Sequence, residues 1–378
     1  MSDLLAVYVH WPFCVSKCPY CDFNSHVRAS IDEAAWANAL VADLAYEAAL
    51  TPGRTVGSIF FGGGTPSLMA PGTVERIIAA FASNWPIDSG CEITLEANPS
   101  SVEAARFAGF AAAGVNRVSL GLQALDDAAL RALGRPHDLA QGMAALDVAQ
   151  RHFPRVSFDL IYDRPGQTVA AWSAELTRAL AFGTEHLSLY GLTIEPGTRY
   201  AVLHAKGELV LPPEEISADL FDLTAEMTAA AGIPAYEVSN HARSGAASRH
   251  NLAYWTYADY VGVGPGAHGR RAGEATARHR KPENWIAAVA AHGHGIVTTE
   301  PLPPATRARE ALLMGLRLAE GIDASVFARR TGQALDGSLD GTRLTRLVQL
   351  GFVESDTAGL RLTPKGRPLV NAVLAELA

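Results

Sequence analysis

Three cysteines lie within eight residues near the start of the chain, with the spacing C-x3-C-x2-C. Cysteine thiolates are the usual ligands of a cubane [4Fe–4S] cluster. Three of them in one tight loop can bind three irons and leave the fourth iron open. The amino and carboxylate groups of S-adenosylmethionine can chelate that iron, and an electron from the cluster can then break a C–S bond. The spacing therefore predicts Cys14, Cys18 and Cys21 as metal ligands.

Zinc is the alternative for the same three thiols. A structural zinc site normally has four protein ligands, and no fourth cysteine or histidine stands at zinc spacing in this segment. His10 and His26 are close in sequence and keep a zinc site open. The remaining cysteine, Cys91, begins a predicted strand and receives no role, because free cysteines are commonly buried packing residues.

The composition argues against several classes of protein. The 378 residues carry 19% charged residues and a net charge of −8, and nucleic-acid binders usually have a basic face instead. No apolar run reaches the ~18 residues that would predict a membrane span. No charged leader segment precedes the first predicted strand, and clustered rather than dispersed cysteines are typical of a reducing compartment. We therefore expect a cytoplasmic protein that binds no nucleic acid.

The first two-thirds of the chain repeats a short apolar strand followed by a helix. The predicted strands are residues 4–9, 58–61, 92–96, 116–120, 156–162 and 186–192, and the clearest helices are residues 32–50 and 102–113. Such alternation predicts an α/β fold with a parallel sheet and right-handed crossovers. Six units without a seventh and eighth indicate an incomplete (β/α)6 barrel, whose site lies at the C-terminal ends of the strands.

Two further regions follow this partial barrel, which we place at residues 1–210. Residues 211–305 are expected to form a helical linking region with Pro/Gly-rich breaks. Residues 306–378 are predicted to form a mostly helical, winged-helix-like domain, because residues 351–354 and 360–362 flank a turn, as two strands flank a wing. Winged helices often bind DNA, but the acidic composition favours simple packing here.

The cysteine motif carries a resemblance that covers nearly the whole chain. The chain resembles radical-SAM proteins of the coproporphyrinogen-dehydrogenase-like group and, within that group, its heme-chaperone subgroup. The resemblance implies a radical-SAM barrel, a [4Fe–4S] cluster and S-adenosylmethionine. The motif G-G-G-T-P follows the second predicted strand, and in the family it holds the amino group of the cofactor. The resemblance therefore implies cofactor binding by Gly62, Gly63, Gly64 and Thr65, where glycines let backbone approach a ligand closely.

Polar residues at other strand ends are implied in the same site. A carboxylate inside the fifth strand, Asp159, would be costly to bury unless it faces a ligand hydroxyl. A guanidinium at Arg135 can pair with the methionyl carboxylate. The resemblance implies cofactor contacts for both, and for the further residues Glu96, Gln123, Tyr8 and Tyr20. Without the resemblance, each of these is more often structural than functional.

The chain departs from the family pattern at three places, and two of them, Phe23 and the short segment before Tyr8, favour the chaperone subgroup over the dehydrogenase. Phe23 occupies the position of an additional cysteine two residues after the third one. Asp163-Arg164 replaces the usual Gly-Leu before Pro165, so this loop is expected to contact substrate differently. Only seven residues precede Tyr8, where the dehydrogenase has a long extension.

The motif H-N-x-x-Y-W is typical of the heme-chaperone subgroup and contains His250, Tyr254 and Trp255. Histidine is a common axial ligand of heme iron, and aromatic side chains can pack on a porphyrin face. The competing interpretation is an aromatic cluster that seals the interface with the C-terminal domain. His241 and His268 are rival ligands.

These observations leave three functions open. The first is a heme chaperone that binds heme and transfers it to an acceptor protein not identified by the sequence. The second is oxygen-independent dehydrogenation of coproporphyrinogen III, which the departures above predict to be absent. The third is a radical-SAM enzyme that modifies heme itself. The sequence does not settle whether S-adenosylmethionine is turned over, nor the oligomeric state.

Overall fold

The strands of the barrel arise from short buried apolar runs, and the first run, Leu5–Trp11, is buried at every position except Tyr8. The structure, a computed structural model, describes residues 4–377. Its strands are β1 (Leu5–Trp11), β2 (Phe13–Cys14), β3 (His26–Val27), β4 (Val56–Gly63), β5 (Ile87–Ala97), β6 (Arg117–Gln123), β7 (Arg155–Tyr162), β8 (His186–Gly191), β9 (Asn240–Ala242), β10 (Tyr260–Val263), β11 (His268–Arg271), β12 (Glu274–Arg278), β13 (Ile296–Pro301), β14 (Ile322–Asp323), β15 (Val353–Asp356) and β16 (Gly359–Leu362).

The helices begin at residues that can satisfy free backbone N–H groups. Asp32 caps the first helix by accepting from the N–H of Ala35, and Asp138 and Gln141 form a reciprocal capping box on the sixth. The helices are α1 (Glu33–Leu50), α2 (Pro71–Asn84), α3 (Ser101–Ala104), α4 (Phe107–Ala112), α5 (Asp127–Ala132), α6 (Leu139–His152), α7 (Val169–Ala181), α8 (Arg199–Ala205), α9 (Glu214–Ala230), α10 (Arg249–Trp255), α11 (Pro282–His292), α12 (Pro304–Gly315), α13 (Ala324–Thr331), α14 (Gly341–Gln349) and α15 (Val370–Leu377).

One predicted helix differs from the structure. The segment 102–113 is divided into α3 and α4, and the chain turns between them. At this turn the guanidinium of Arg106 donates to the backbone oxygen of Leu68 over 2.8 Å. The bend lets Phe107 and Phe110 reach the main core, where both are fully buried.

The six predicted strands form one parallel array in the order β1-β4-β5-β6-β7-β8. Every neighbouring pair in this array runs parallel, so the strands place their C-terminal ends on one side. The α/β partial barrel expected from the sequence is confirmed. Its interior is flanked by helices that bury the largest apolar cluster of the molecule.

Residues 211–305 were expected to be mainly helical, and this expectation is wrong in one respect. The region contains α9, α10 and α11, but it also adds five strands to the barrel sheet. β10 pairs parallel with β1, β11 to β13 continue as an antiparallel meander, and β9 pairs antiparallel with β8. These strands have three to six residues, which is too short for a clear alternating pattern.

Buried ion pairs attach this added sheet to α1. Arg278 is fully buried and donates to Asp43 over 2.7 Å and to Glu47 over 2.8 Å. Arg271 donates to the same Glu47 over 2.6 Å. Because each charge has a partner, the helix and the strands are held together without an unpaired buried charge.

The C-terminal region has its own core and a small antiparallel sheet in the order β14-β16-β15. The element order α12-β14-α13-α14-β15-β16 matches the predicted winged-helix-like arrangement. Tyr257, which lies before β10, packs into this second core. None of the helices within residues 4–377 is both long enough and apolar enough to cross a membrane.

Candidate functional site

The cysteine loop leaves the C-terminal end of β1 and is fixed to the body of the barrel by its own backbone and by Asn24. Two residues of β2 pair with β3, which closes the loop at its base. The side-chain amide of Asn24 donates to the backbone oxygens of Pro265 and Arg280, each over 2.9 Å. The loop that carries the three cysteines is therefore tied to the added sheet as well as to β1.

A hydrogen-bonded chain joins this loop to the barrel interior. The hydroxyl of Tyr8 lies 3.0 Å from Nδ1 of His10, and Nε2 of His10 lies 2.9 Å from the backbone oxygen of Asn24. Burial is the main cause that lowers the pKa of His10 to about 4. The ring is therefore neutral at pH 7, so Nε2–H donates to Asn24 and Nδ1 accepts from Tyr8. His10 was considered only as a zinc ligand from sequence, and its position inside β1 explains this structural role.

The glycine-rich turn after β4 lies directly against the cysteine loop. Gly63 has a φ of 111°, and a Cβ there would lie 2.6 Å from the ring of His10. A Cβ on Gly64 would lie 2.6 Å from the backbone oxygen of Phe13. The next residue, Thr65, donates its hydroxyl to Sγ of Cys14 over 3.4 Å. Only glycine allows this close approach, which brings the predicted turn and the first cysteine together.

Arg135 reaches the second cysteine from the other side of the site. Its Nη1 donates to Sγ of Cys18 over 3.4 Å, and its Nη2 donates to Oδ1 of Asn98 over 2.5 Å. Asn98 in turn donates to the hydroxyl of Thr65 over 3.1 Å. Asn98 thus bridges the groups that contact the first two cysteines, and sequence reasoning missed it. The signal was available, because it follows β5 two residues after Glu96.

Tyr20 and Gln123 complete the surroundings of Arg135. Burial is the main cause that raises the pKa of Tyr20 above its usual value, and the guanidinium of Arg135 acts against it. Gln123 ends β6 with a φ of 68°, which is rare for a residue with a side chain. A Cβ on Gly121 would lie 2.9 Å from its Nε2 and 3.2 Å from Nη2 of Arg135. Such a backbone is retained where a site holds it in place.

The donor set fits an iron–sulfur cluster better than a single ion. Cys14, Cys18 and Cys21 are each partly buried, and none of them forms a disulfide. Among residues 4–377, no three or more His, Cys, Asp or Glu side chains lie close enough to hold one metal ion. In a cubane cluster each thiolate binds a different iron, so the three thiols do not have to reach one common ion. The hydrogen bonds from Thr65 and Arg135 would stabilise bound thiolates.

A polar cavity of about 240 Å³ fills the barrel below this loop. Glu96 from β5 and Asp159 from β7 face it, and Asp159 accepts from the hydroxyl of Ser119 over 3.2 Å. Burial is the main cause that raises the pKa of Glu96 to about 8, and the charge of Asp159 adds to it. Burial likewise raises the pKa of Asp159 to about 6. Glu96 is therefore mostly protonated at pH 7 and can donate a hydrogen bond.

The helix α10, which contains H-N-x-x-Y-W, closes the opposite end of the barrel. Its first N–H, at Arg249, donates over 2.9 Å to Glu92, near the N-terminal half of β5. His250 is 3% exposed and faces the cavity. Its ring stacks on Phe60 with centroids 4.9 Å apart and meets Tyr254 edge-on at 4.8 Å. Its Nδ1 lies 3.4 Å from the hydroxyl of Ser58.

The structure separates the predicted heme residues. His250 and Tyr254 line the cavity, and Trp255 does not. Nε2 of His250 has no hydrogen-bond partner, although it is buried. Of the rival ligands, His241 is buried in β9, whereas His268 is exposed at the start of β11.

Comparison with known proteins places this geometry in a family. Residues 8–175 match the radical SAM superfamily, and residues 302–369 match the HemN C-terminal domain. The chain is 39% identical to the bovine protein named radical S-adenosyl methionine domain-containing protein 1, mitochondrial, over 100% of this chain and 88% of that protein. It is 32% identical to the heme chaperone HemW of Bacillus subtilis over 97% of each chain.

A solved structure shares the fold over the same length. The coproporphyrinogen III oxidase HemN from Escherichia coli, described as a radical SAM enzyme, superposes with a TM-score of 0.82 at 22% identity. The match covers 99% of this chain and 90% of HemN. Together with the HemW relatives, of which the Escherichia coli protein is also 32% identical over 98% of this chain, these findings confirm the resemblance seen in the cysteine motif. The chain belongs to the radical SAM superfamily, in the group that contains the HemW proteins.

Proposed function

We propose that this chain is a heme chaperone, which binds heme, passes it to an acceptor protein and carries a [4Fe–4S] cluster with S-adenosylmethionine. The observation that carries the proposal is the similarity to HemW proteins, which runs over 97% of the chain or more at 32% identity. The local arrangement of the cysteine loop supports the cofactor part. Thr65 donates to the thiol of Cys14 and Arg135 to that of Cys18.

In this proposal Cys14, Cys18 and Cys21 bind the cluster, and S-adenosylmethionine supplies a sulfonium that the cluster can reduce. Arg135 offers a guanidinium for the methionyl carboxylate beside Cys18. The turn of Gly62, Gly63, Gly64 and Thr65 offers backbone groups for the amino group. Tyr8 contacts the base of the loop through His10, and Tyr20 lies within the loop. Gln123 stands beside Arg135.

Glu96 and Asp159 are suited to bind hydroxyl groups of the ribose. A carboxyl with a pKa of about 8 donates at pH 7, whereas one with a pKa of about 6 accepts. One donor and one acceptor that face the same cavity can therefore hold a diol. A diol ligand would account for two carboxyls that line the same cavity in the barrel interior.

Heme binding has two candidate ligands that differ in access. A cavity of about 240 Å³ is smaller than the ~300–1,000 Å³ of sites for drug-sized ligands, so heme reaches His250 only if α10 moves away from the barrel. His268 is exposed. Large apolar side chains of the cysteine loop are exposed too, with Val15 at 64% and Phe23 at 60%. These side chains offer an apolar surface for a porphyrin.

An enzyme acting on a tetrapyrrole is the second candidate, favoured by the shared fold with HemN. Phe23 stands where the dehydrogenase subgroup has an additional cysteine, and we propose that coproporphyrinogen dehydrogenation is absent. A cytoplasmic location is part of the proposal, although the animal relatives are named mitochondrial. The proposal includes no nucleic-acid partner, because the chain is acidic.

The decisive experiment is anaerobic incubation of reconstituted protein with heme or coproporphyrinogen III, reductant and S-adenosylmethionine, followed by mass analysis of the tetrapyrrole. We expect bound, chemically unchanged heme and unreacted coproporphyrinogen. Decarboxylated or methylated tetrapyrrole would overturn the chaperone proposal.

The heme ligand is tested by absorption spectra and titration of three single variants. His250→Ala and His268→Ala are compared with His241→Ala, and the true ligand is the one whose loss changes the spectrum and lowers affinity while cluster content stays unchanged. If all three variants, and a Tyr254→Ala, Trp255→Ala double variant, bind heme as the parent does, the heme site lies elsewhere.

A further inference from the structure

Asn98 follows β5 and lies between the two residues that donate hydrogen bonds to cysteine sulfurs. Its Nδ2 donates to the hydroxyl of Thr65 over 3.1 Å, and its Oδ1 accepts from Nη2 of Arg135 over 2.5 Å. Thr65 in turn donates to Sγ of Cys14 over 3.4 Å. Arg135 donates to Sγ of Cys18 over the same distance. One side-chain amide therefore joins the hydrogen-bond donors of two thiols.

The chemistry of arginine fixes the direction of each hydrogen bond in this chain. A guanidinium carries only donors, so the amide atom that faces Arg135 must be the oxygen, and the amide nitrogen of Asn98 must face Thr65. The hydroxyl oxygen of Thr65 accepts from that nitrogen, which leaves its single proton for the sulfur of Cys14. An amide suits this position because it has a donor at one end and an acceptor at the other, whereas an ionised carboxylate has acceptors alone.

The fold holds this amide in place from two sides. The buried carboxylate of Glu103 accepts from the backbone N–H of Asn98 over 3.0 Å and from the hydroxyl of Ser67. Nη2 of Arg135 also donates to the backbone oxygen of Gly121 over 3.0 Å. The network is thus attached to the turn after β4, to the end of β5 and to β6, so its geometry is set by the protein itself.

Hydrogen bonds to ligand sulfurs help to set the reduction potential of an iron–sulfur cluster. One-electron reduction adds a negative charge, and a donor to a thiolate ligand stabilises that charge. Such a donor therefore raises the reduction potential, and its loss makes the potential more negative. Groups behind the donors act on the potential as well, because they orient the donors.

We propose that Asn98 is a positioning residue that raises the reduction potential of the cluster. It acts through Thr65 and Arg135, whose hydrogen bonds it directs toward the sulfurs of Cys14 and Cys18. The inference rests on the proposed function, because it requires a cluster on the cysteine loop.

The test is a redox titration of the reconstituted full-length protein, followed by electron paramagnetic resonance of the reduced cluster, with iron content measured in parallel. Asn98→Leu removes both ends of the amide at similar volume and without adding a charge. We expect its cluster to assemble with a reduction potential more negative than that of the parent. A potential equal to the parent's would overturn the role of Asn98. A parent protein that assembles no cluster would instead overturn the proposed function, and this inference with it.

Two variants of Thr65 test the same network without a change at Asn98. Thr65→Val has nearly the same shape but no hydroxyl, so its potential should be more negative than the parent's. Thr65→Ser retains the hydroxyl and should retain the parent's potential. Equal potentials in the two variants would overturn the proposal, even where Asn98→Leu itself fails to hold a cluster.

The double variant Asn98→Leu, Thr65→Val separates a directed hydrogen bond from independent effects at the two positions. Residues of one hydrogen-bond network do not act additively. The shift caused by Asn98→Leu should therefore be smaller in the Thr65→Val background than in the parent. Fully additive shifts would show that Asn98 does not direct the hydroxyl of Thr65, and would reject the proposed route.

Asn116→Leu is the matched control, because the amide of Asn116 is also a bridge. It accepts from the backbone N–H of Ile93 and donates to the backbone oxygen of Cys91, each over 2.8 Å. Asn116 precedes β6, at the end of that strand opposite the cysteine loop. Its loss should lower the unfolding free energy and leave the reduction potential unchanged. An equal shift of the potential in Asn116→Leu would show that general loosening of β5 is sufficient, and would reject the role of Asn98.

Discussion

Two glutamates of β5, the buried Glu92 and the half-buried Glu96, lie four residues apart on the same face of the strand, and their surroundings are opposite. Glu92, in the lower barrel, is 1% exposed and accepts from Arg117, Arg155 and the backbone of Arg249. Glu96, in the upper barrel, accepts from the backbone N–H of Gly63 over 3.3 Å. At the lower end of the barrel, which we call the floor, the carboxylate of Glu92 is thus fully paired. At the upper end, the charged form of the Glu96 carboxyl is disfavoured.

This difference separates structure from function within one strand. A paired buried carboxylate fixes α10 against the barrel floor, and its removal leaves arginines without a partner. A carboxyl without a cation contributes little to folding and is retained where a ligand needs it. The contrast teaches that the polar groups of this interior are not equivalent, although they look alike in the sequence.

The largest expected effect concerns the cysteine loop at the upper end. Cys18→Ala removes one of three thiolates, so a stable cluster should no longer assemble. Iron and sulfide measured after anaerobic reconstitution should fall to near zero. Cys91→Ala is the matched control, because Cys91 is buried in β5 away from the loop, and it should retain the cluster. Near-full iron content in Cys18→Ala would reject the ligand assignment.

The floor is tested by Glu92→Gln. The substitution leaves Arg117 and Arg155 facing a neutral amide in a buried site, which should cost about 3–5 kcal/mol of unfolding free energy. Chemical denaturation followed by circular dichroism measures it. Glu185→Gln is the control, since Glu185 pairs with the same Arg155 but is 32% exposed, and it should cost less than about 1 kcal/mol. Equal costs would remove the distinction between floor and surface.

Substitution of Glu96 should change the unfolding free energy in the opposite direction to substitution of Glu92, and its effect should depend on pH. The folded pKa of Glu96, about 8, lies above its ordinary value of 4.5. The native state therefore holds a proton that the unfolded state releases, and stability falls as pH rises through this window. Glu96→Gln should match the parent near pH 4.5 and be more stable by about 1–3 kcal/mol at pH 9.

Denaturation at both pH values checks this prediction. The exposed substitution Glu75→Gln should show no such pH-dependent difference. A Glu96→Gln variant that loses stability at pH 9 would show that the charge of Glu96 is stabilised in the fold, contrary to the contrast with Glu92.

The smallest effect is expected for Tyr8→Phe, which removes the hydrogen bond to His10. The loss should be about 0.5–1.5 kcal/mol, with the cluster still assembling because Asn24 holds the loop independently. Unfolding free energy and iron content measure the two parts. Tyr46→Phe, in α1, serves as the control. Loss of the cluster in Tyr8→Phe would mean that the loop depends on the hydrogen-bonded chain through His10.

The sequence alone determined the cluster ligands proposed here and the alternating strands and helices, because both are recorded at short range. Cysteine spacing within one loop and apolar runs within one strand need no knowledge of distant residues. The structure decided what depends on long-range pairing. The short strands β9 to β13 are recognised only from their pairing in the barrel sheet beyond β1 and β8. The role of Asn98 is recognised only because the fold brings Arg135 and Thr65 into contact with it.

Tertiary structure also decided how His250 can act. The sequence placed it in a motif with two aromatic residues, and it could not show that α10 turns this histidine into the closed barrel while Trp255 lies outside the cavity. Likewise, nothing local distinguishes Glu92 from Glu96, since both are glutamates of one strand. Their different chemistry comes from arginines 25 and 63 residues further along the chain, because the energy of a buried charge depends on what folding brings beside it.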